Sequence, residues 1–194
     1  KLLAAIGLDL DAPQLDMIVR RTEGWPAALY LAGLALTESA DPARALAEFA
    51  GDDRLLVDYL EEELLLPASR SRLQFLRRVS VLERMCGDLC DAVLERRDSA
   101  TTLRDLSRSN MLLVPLDRSD TLLRLHPLLR DMLRSDLRRS EPEAERDLHL
   151  RACEWWAGRG DLDQAINHAV EATAPERAGE LLLAACPEYM PTGR

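Results

Sequence analysis

The chain has 194 residues, 47% of them hydrophobic, 30% charged and 4% aromatic, with a formal net charge of −9. That apolar fraction supports a packed core in one large domain or two to three small ones, and it excludes a disordered tail, a collagen or a disulfide scaffold. No apolar run approaches the roughly 20 residues that span a bilayer, and no signal-peptide pattern opens the sequence, so no membrane partner is expected. The first residue is Lys1 rather than Met and the last four are Pro191-Thr192-Gly193-Arg194, so the chain reads as a piece of a longer protein.

Lys1 is the only lysine; the other 24 cationic side chains are arginine. A Walker-type phosphate loop needs a mid-chain lysine after a glycine-rich turn, which this sequence lacks. There is no Gly-x-Ser-x-Gly elbow, no His-Glu-x-x-His pair and no Gly-x-Gly-x-x-Gly. A self-contained enzyme is therefore not expected. Cys86, Cys90, Cys153 and Cys186 are too few and scattered for a disulfide framework and point to a reducing cytoplasm. Cys86 with Cys90, and His149 with Cys153, stand four apart and suit one helix face. Zinc sites use tighter pairs and four ligands, so the cysteines are read as buried thiols and no metal is expected.

Charge is unevenly spread. Residues 1–67 carry −8, residues 68–139 carry +5 and residues 140–194 carry −6. A basic middle between acidic flanks suits a module facing nucleic acid or one docking on an acidic neighbour.

Leu15, Ile18, Val19 and Thr22 predict a helical stripe that stops at Gly24, with Pro26 opening the next helix. Ala27–Leu36 reads as a small-residue helix with Tyr30, Leu31 and Leu34 free to pack. Residues 37–53 read as a connection. Arg54–Leu66 is a predicted helix with Leu56, Tyr59, Leu60 and Leu64 on one side, broken by Pro67. Ser69 caps a helix bearing Leu73, Leu76 and Val79; Cys86–Leu94 makes a short one; Asp98 or Ser99 caps another with Leu103 and Leu106, closed by Asn110.

The period then changes. Met111–Leu116 and Thr121–His126 are strand-like runs around Asp117-Arg118-Ser119-Asp120, a hairpin signature. Pro127 starts a helix striped by Leu129, Met132, Leu133 and Leu137. Three helices, a hairpin and a closing helix describe a winged-helix module. After Ser140-Glu141-Pro142 come three short helices, 143–158, 161–172 capped by Asp161, and one from Pro175. Leu148, Ala152, Trp155 and Trp156 are expected to face Ala165, Ile166, Ala169 and Val170, as in a helical hairpin repeat. One and a half repeats leave a face uncovered, so further repeats are expected. The expected fold class is mainly α: a partial helical lid bundle over residues 1–53, a winged-helix domain with a small β-hairpin over 54–139, and TPR-like helical hairpins over 140–194.

Four ordered motifs carry a family resemblance. Arg21-Thr22-Glu23-Gly24-Trp25-Pro26-Ala27-Ala28-Leu29-Tyr30-Leu31-Ala32 resembles the helical-lid motif of MalT-like, LuxR-type transcriptional regulators. Phe75–Cys86 and Asn110–Asp117 resemble the following segments. His126-Pro127-Leu128-Leu129-Arg130-Asp131-Met132-Leu133 resembles their winged-helix signature, and Cys153-Glu154-Trp155-Trp156 with Gly160 and Ala165 resembles the start of their sensor repeats. The resemblance spans nearly the whole chain in the right order.

These regulators belong to the STAND class of nucleotide switches in signal transduction. The resemblance implies an upstream ATPase core as partner, then this lid and winged helix, then a sensor that binds an unidentified inducer. It also implies a DNA-binding module further along the parent chain and self-association on activation. ATP or ADP would be the parent's cofactor, with none expected in this segment by itself. Gly24-Trp25-Pro26 matches the lid motif, and its Pro26 the position that packs on the adenine. His126 matches the winged-helix histidine that reaches the β-phosphate of ADP. Pro127 departs from relatives that carry a polar residue next, so no role for that neighbour transfers.

Read without the resemblance, Pro26 is a helix break beside a core Trp25, and His126 is a satisfied structural histidine. Two other function classes remain open at this stage. One is DNA binding by the winged helix itself. Against it, the candidate recognition helix 99–110 offers Arg104 and Arg108 around Asp105, and the wing carries Asp117 and Asp120. The other is a helical interaction scaffold with Trp155 and Trp156 as an exposed hot spot.

Overall fold

In a computed structural model of the chain, residues 3, 8, 10–39, 44–45, 49, 53–66, 68–109 and 112–189 are described. Residues 1–2, 4–7 and 9, Pro67, Asn110, Met111, the tail 190–194 and most of the connection 40–52 lie outside the described residues, as do the side chains of Glu38, Leu64 and residues 187–189. The described elements are mainly helical with one small sheet, as the sequence predicts. They are α1 (Ala12–Thr22), α2 (Pro26–Glu38), α3 (Arg54–Leu60) running into a π-helical turn (Glu61–Leu65), α4 (Arg70–Val79), α5 (Gly87–Leu94) and α6 (Ser99–Arg108). Strands β1 (Leu113–Pro115) and β2 (Leu123–Leu125) follow, then α7 (Pro127–Ser140), α8 (Pro142–Ala157), α9 (Leu162–Glu171) and α10 (Pro175–Tyr189).

α1 begins with a capping box the sequence reading passed over. The Asp11 carboxylate accepts from the Gln14 N–H at 2.8 Å, and the Asp11 N–H donates to the Gln14 amide oxygen at 3.0 Å. The expected stripe is corrected here. Ile18 and Thr22, one turn apart, are fully buried, whereas Leu15 and Val19 are 46% and 42% exposed. In α2 the buried line is Ala28, Ala32 and Leu36, while Tyr30 stands in solvent. Ala28, Ala32 and Leu36 stand at i, i+4 and i+8 on one face of α2, which packs against both α1 and α3.

α4, α5, α6, the hairpin and α7 make the winged helix. The strands pair antiparallel, Leu113 opposite Leu125 and Pro115 opposite Leu123. Met85 extends this sheet: its N–H donates to the Leu123 carbonyl at 2.7 Å and its carbonyl accepts from the Leu123 N–H at 2.9 Å. Gly87, at the first turn of α5, lies where a Cβ would sit 2.7 Å from the Ala100 Cβ, so the α5–α6 approach requires glycine. The cap of α6 is also corrected. Asp98 occupies the N-cap position but makes no cap bond and pairs instead with Arg96. The first helical N–H, that of Ser99, donates to the Asp91 carboxylate of α5 at 2.9 Å.

α7 is the hub. It touches α1, α4 and α8, and Leu128, Leu129, Met132, Leu133 and Leu137 are buried along it. A continuous apolar core runs from α1 and α2 through the winged helix to Leu148 and Ala152 of α8. A second cluster holds Cys153, Ala165, Ala169, Ala178 and Leu181, with Trp156 packed against both. Val170, expected in the α8–α9 seam, is 62% exposed, and His168 is buried in that seam instead. The thiols divide: Cys90 and Cys153 are buried, Cys86 half-buried and Cys186 exposed. No helix among the described residues is long and apolar enough to cross a membrane.

Candidate functional site

The turn between α1 and α2 is built from two consecutive left-handed residues, Glu23 (φ 48°) and Gly24 (φ 76°). It sends Trp25 back over the end of α1, where the Trp25 N–H donates to the Thr22 carbonyl at 2.8 Å. Pro26 takes the first position of α2, where its missing N–H costs nothing, and its ring is exposed. Trp25 is half-buried, its indole tilted 5.8 Å from the Tyr59 ring of α3.

His126 comes to the same place from the other end of the chain. It lies between β2 and α7 as the N-cap of α7, with its N–H held by the Leu112 carbonyl at 2.8 Å. Its side chain is 6% exposed and meets Trp25 edge to face, ring centres 5.6 Å apart. Nδ1 accepts from the Leu128 N–H at 3.3 Å, so it carries a lone pair and caps the helix. Nε2, 3.0 Å from the Thr22 carbonyl oxygen, is then the donor. The imidazole is thus neutral with its hydrogen on Nε2. Burial pushes its pKa down; the Thr22 carbonyl and Glu23 oppose that shift, and Arg124 reinforces it. Beside it, the Arg124 guanidinium pairs with the Glu23 carboxylate at 2.8 Å.

The structure therefore brings together the two sequence-predicted groups, Gly24-Trp25-Pro26 and His126, from segments about a hundred residues apart. It also adds Thr22, Glu23, Tyr59 and Arg124. Glu23 and Arg124 carried no signal of their own, since their pairing depends on the hairpin meeting the α1–α2 turn.

A second polar cluster escaped the sequence reading. His149 of α8 and His168 of α9 face each other with Nδ1 atoms 2.8 Å apart. Arg134 of α7 donates to Glu145 at 3.1 Å and to Glu171, and its Nη2 lies 3.3 Å from His149 Nε2. Arg138 donates twice to Glu145, at 2.8 and 3.0 Å. His149 and Cys153, weighed as a ligand pair, serve different surroundings, and no group of three His, Cys, Asp or Glu suited to a metal occurs among the described residues.

The groove face of the winged helix is a cleft of about 510 Å³ between α6 and the wing. Arg104 and Arg108 line it together with Asp88 and Asp120, so its charges are mixed rather than basic. Trp155 and Trp156 are half-buried, 4.6 Å apart edge to face, with Arg159 over one ring and Arg84 over the other. They do not form the exposed hot spot weighed from sequence.

Residues 60–145 match the family model of the MalT winged helix domain. The serine/threonine-protein kinase PknK of Mycobacterium tuberculosis (strain ATCC 25618 / H37Rv) is 30% identical over 176 residues, which is 91% of this chain and 16% of the kinase. The HTH-type transcriptional regulator MalT of Vibrio parahaemolyticus is 27% identical over 177 residues, 89% of this chain and 19% of the regulator. The HTH-type transcriptional regulator AlkS of Pseudomonas putida is 29% identical over 165 residues, 85% of this chain and 18% of AlkS. The chain thus spans between a sixth and a fifth of the length of the curated relatives it matches.

Proposed function

We propose that this chain, a segment of a MalT-like regulator with a MalT-type winged helix domain at residues 60–145, holds its parent protein in a closed state that a nucleotide controls. The HTH-type transcriptional regulators among its relatives support a regulatory role. The nucleotide control, the relay of an inducer from TPR-like repeats, the cytoplasmic setting, the absence of catalysis in this segment and the division at residues 53 and 139 are the finer reading. The single observation that carries it is the meeting of Trp25 and His126 at one spot.

Pro26 offers an exposed flat ring on a fixed helix start, which fits a purine base. His126 fits a phosphate only if its Nε2–H leaves the Thr22 carbonyl, since Nδ1 is already committed to α7. A bound nucleoside diphosphate would supply an anionic acceptor for that N–H and a base for Pro26. The chain's own residues supply the rest. The Glu23–Arg124 pair keeps the lid turn against the wing, and Tyr59 buttresses Trp25. Whatever binds there biases the closed arrangement only by its differential affinity for the two positions of His126.

The test is ADP affinity and basal activity of the full-length parent carrying His126→Ala. Weaker ADP binding with raised basal activity is expected, and no change in either defeats the reading. DNA contact in the parent is assigned to a module outside this segment, because the mixed charge of the α6 cleft suits phosphates poorly.

A further inference from the structure

The second polar cluster sits where the winged helix meets the first helical hairpin, and its hydrogen positions follow from geometry. A guanidinium only donates, so the Arg134 N–H 3.3 Å away requires a lone pair on His149 Nε2. His149 then carries its hydrogen on Nδ1 and donates across the 2.8 Å gap, which makes His168 Nδ1 an acceptor with its own hydrogen on Nε2. The chain of donors runs one way, Arg134 to His149 to His168, and it uses both nitrogens of His149 and Nδ1 of His168. A proton added to His149 would set N–H against N–H beside a guanidinium. One added to His168 would place two hydrogens in the same gap.

We propose that the His149–His168 pair, anchored by Arg134, is a proton-sensitive latch between the winged helix and the α8–α9 hairpin: closed while both rings are neutral, and opened by proton uptake. The two residues are 1% and 5% exposed, yet they form part of the lining of a polar cleft of about 340 Å³ through which a proton can arrive. The charged groups facing the pair come from every packed element: Glu83 from the turn after α4, Arg130, Arg134 and Arg138 from α7, Glu145 from α8 and Glu171 from α9. Three cations balance three carboxylates, so this field does not favour charging the rings. Burial is the leading cause that holds both imidazoles below their ordinary value. At His149 the facing His168 and Arg134 add to it; at His168, Glu83 and Glu171 oppose it. Arg134 binds carboxylates on both helices of the hairpin, so losing the rings' fit loosens α8 and α9 from α7 together. The latch stands independently of the nucleotide reading.

Nitrogen-15 NMR of the histidines in the 194-residue chain at pH 7.5 reads the tautomers directly. The hydrogen is expected on Nδ1 of His149 and on Nε2 of His168. Hydrogen exchange at pH 7.5 and 5.0, corrected for intrinsic rates, is expected to show α9 amides opening at least tenfold more at the lower pH. An opened imidazole of ordinary affinity gains about thirtyfold from 1.5 pH units of protonation. His168→Gln, which cannot titrate, is expected to shrink that acid response by the share of one imidazole, leaving the share of His149, with α6 exchange unchanged. The opposite tautomer on His149, or α9 exchange that does not change with pH in the unsubstituted chain, overturns the proposal.

Discussion

The Nε2–H of His126 donates to the carbonyl oxygen of Thr22 at 3.0 Å, across 104 residues of sequence. This one bond ties the end of α1 to the start of α7, the last helix of the winged helix. The same carbonyl accepts from the Trp25 N–H, so the α1–α2 turn and the imidazole share one acceptor.

Replacing His126 with Ala leaves the Leu128 N–H without its cap, removes one bond to Thr22 and opens space beside Trp25. A loss of about 2 kcal/mol is expected, from a buried hydrogen bond and an N-cap together. Urea unfolding followed by far-UV circular dichroism measures it. His126→Asn, which can still cap, is expected to recover part of the loss.

Asp91→Ala is expected to destabilise the chain by about 1 kcal/mol, because the carboxylate that receives the Ser99 N–H is lost. Asp98→Ala, at the position the sequence marks as the cap, removes only an exposed pair with Arg96 and is expected to cost less. A pair of thermal melts orders the two, and the reverse order would contradict the tertiary cap.

Gly87→Ala forces a methyl to 2.7 Å from the Ala100 Cβ, and a cost of about 1–3 kcal/mol is expected for overpacking. Ala100→Gly in the same chain makes room. A double-mutant cycle is expected to show the combined variant more stable than the sum of its parts.

All three histidines, His126, His149 and His168, are buried and held below the ordinary imidazole value of 6.5, with burial the leading cause in each. The unfolded chain therefore binds more protons than the folded one in acid. Stability is expected to be full above pH 6.5 and to fall as pH drops below it toward the folded values. The slope is up to about 1.4 kcal/mol per pH unit for each imidazole. Urea titrations between pH 7.5 and 5 measure this, and His168→Gln is expected to make the slope shallower.

Much of the fold is legible because local signals and tertiary packing agree. The leucine stripe of α7, the break at Gly24-Trp25-Pro26 and the Asp161 cap all hold, the last with the Gln164 N–H 3.2 Å from the carboxylate. Periodicity failed where two faces of a helix were nearly equally apolar. In α1, Leu15 and Val19 look like Ile18, and only the neighbouring α2 and α7 decide which side is covered. In α9, the apolar Val170 stands outside while His168 turns inward, because a partner for its nitrogen waits on α8.

From sequence alone came the helices and hairpin in order, the absence of a phosphate loop, and the two motifs that meet at the candidate site. These rest on period, turn chemistry and residue type, which are properties of neighbours along the chain. Tertiary structure alone decided that Thr22 receives His126, that Asp91 rather than Asp98 caps α6, and that three arginines of α7 surround a pair of histidines. Each of those depends on a donor and an acceptor far apart in sequence. A buried polar atom takes whichever partner the packing of apolar faces brings within about 3 Å, and no local pattern encodes that choice.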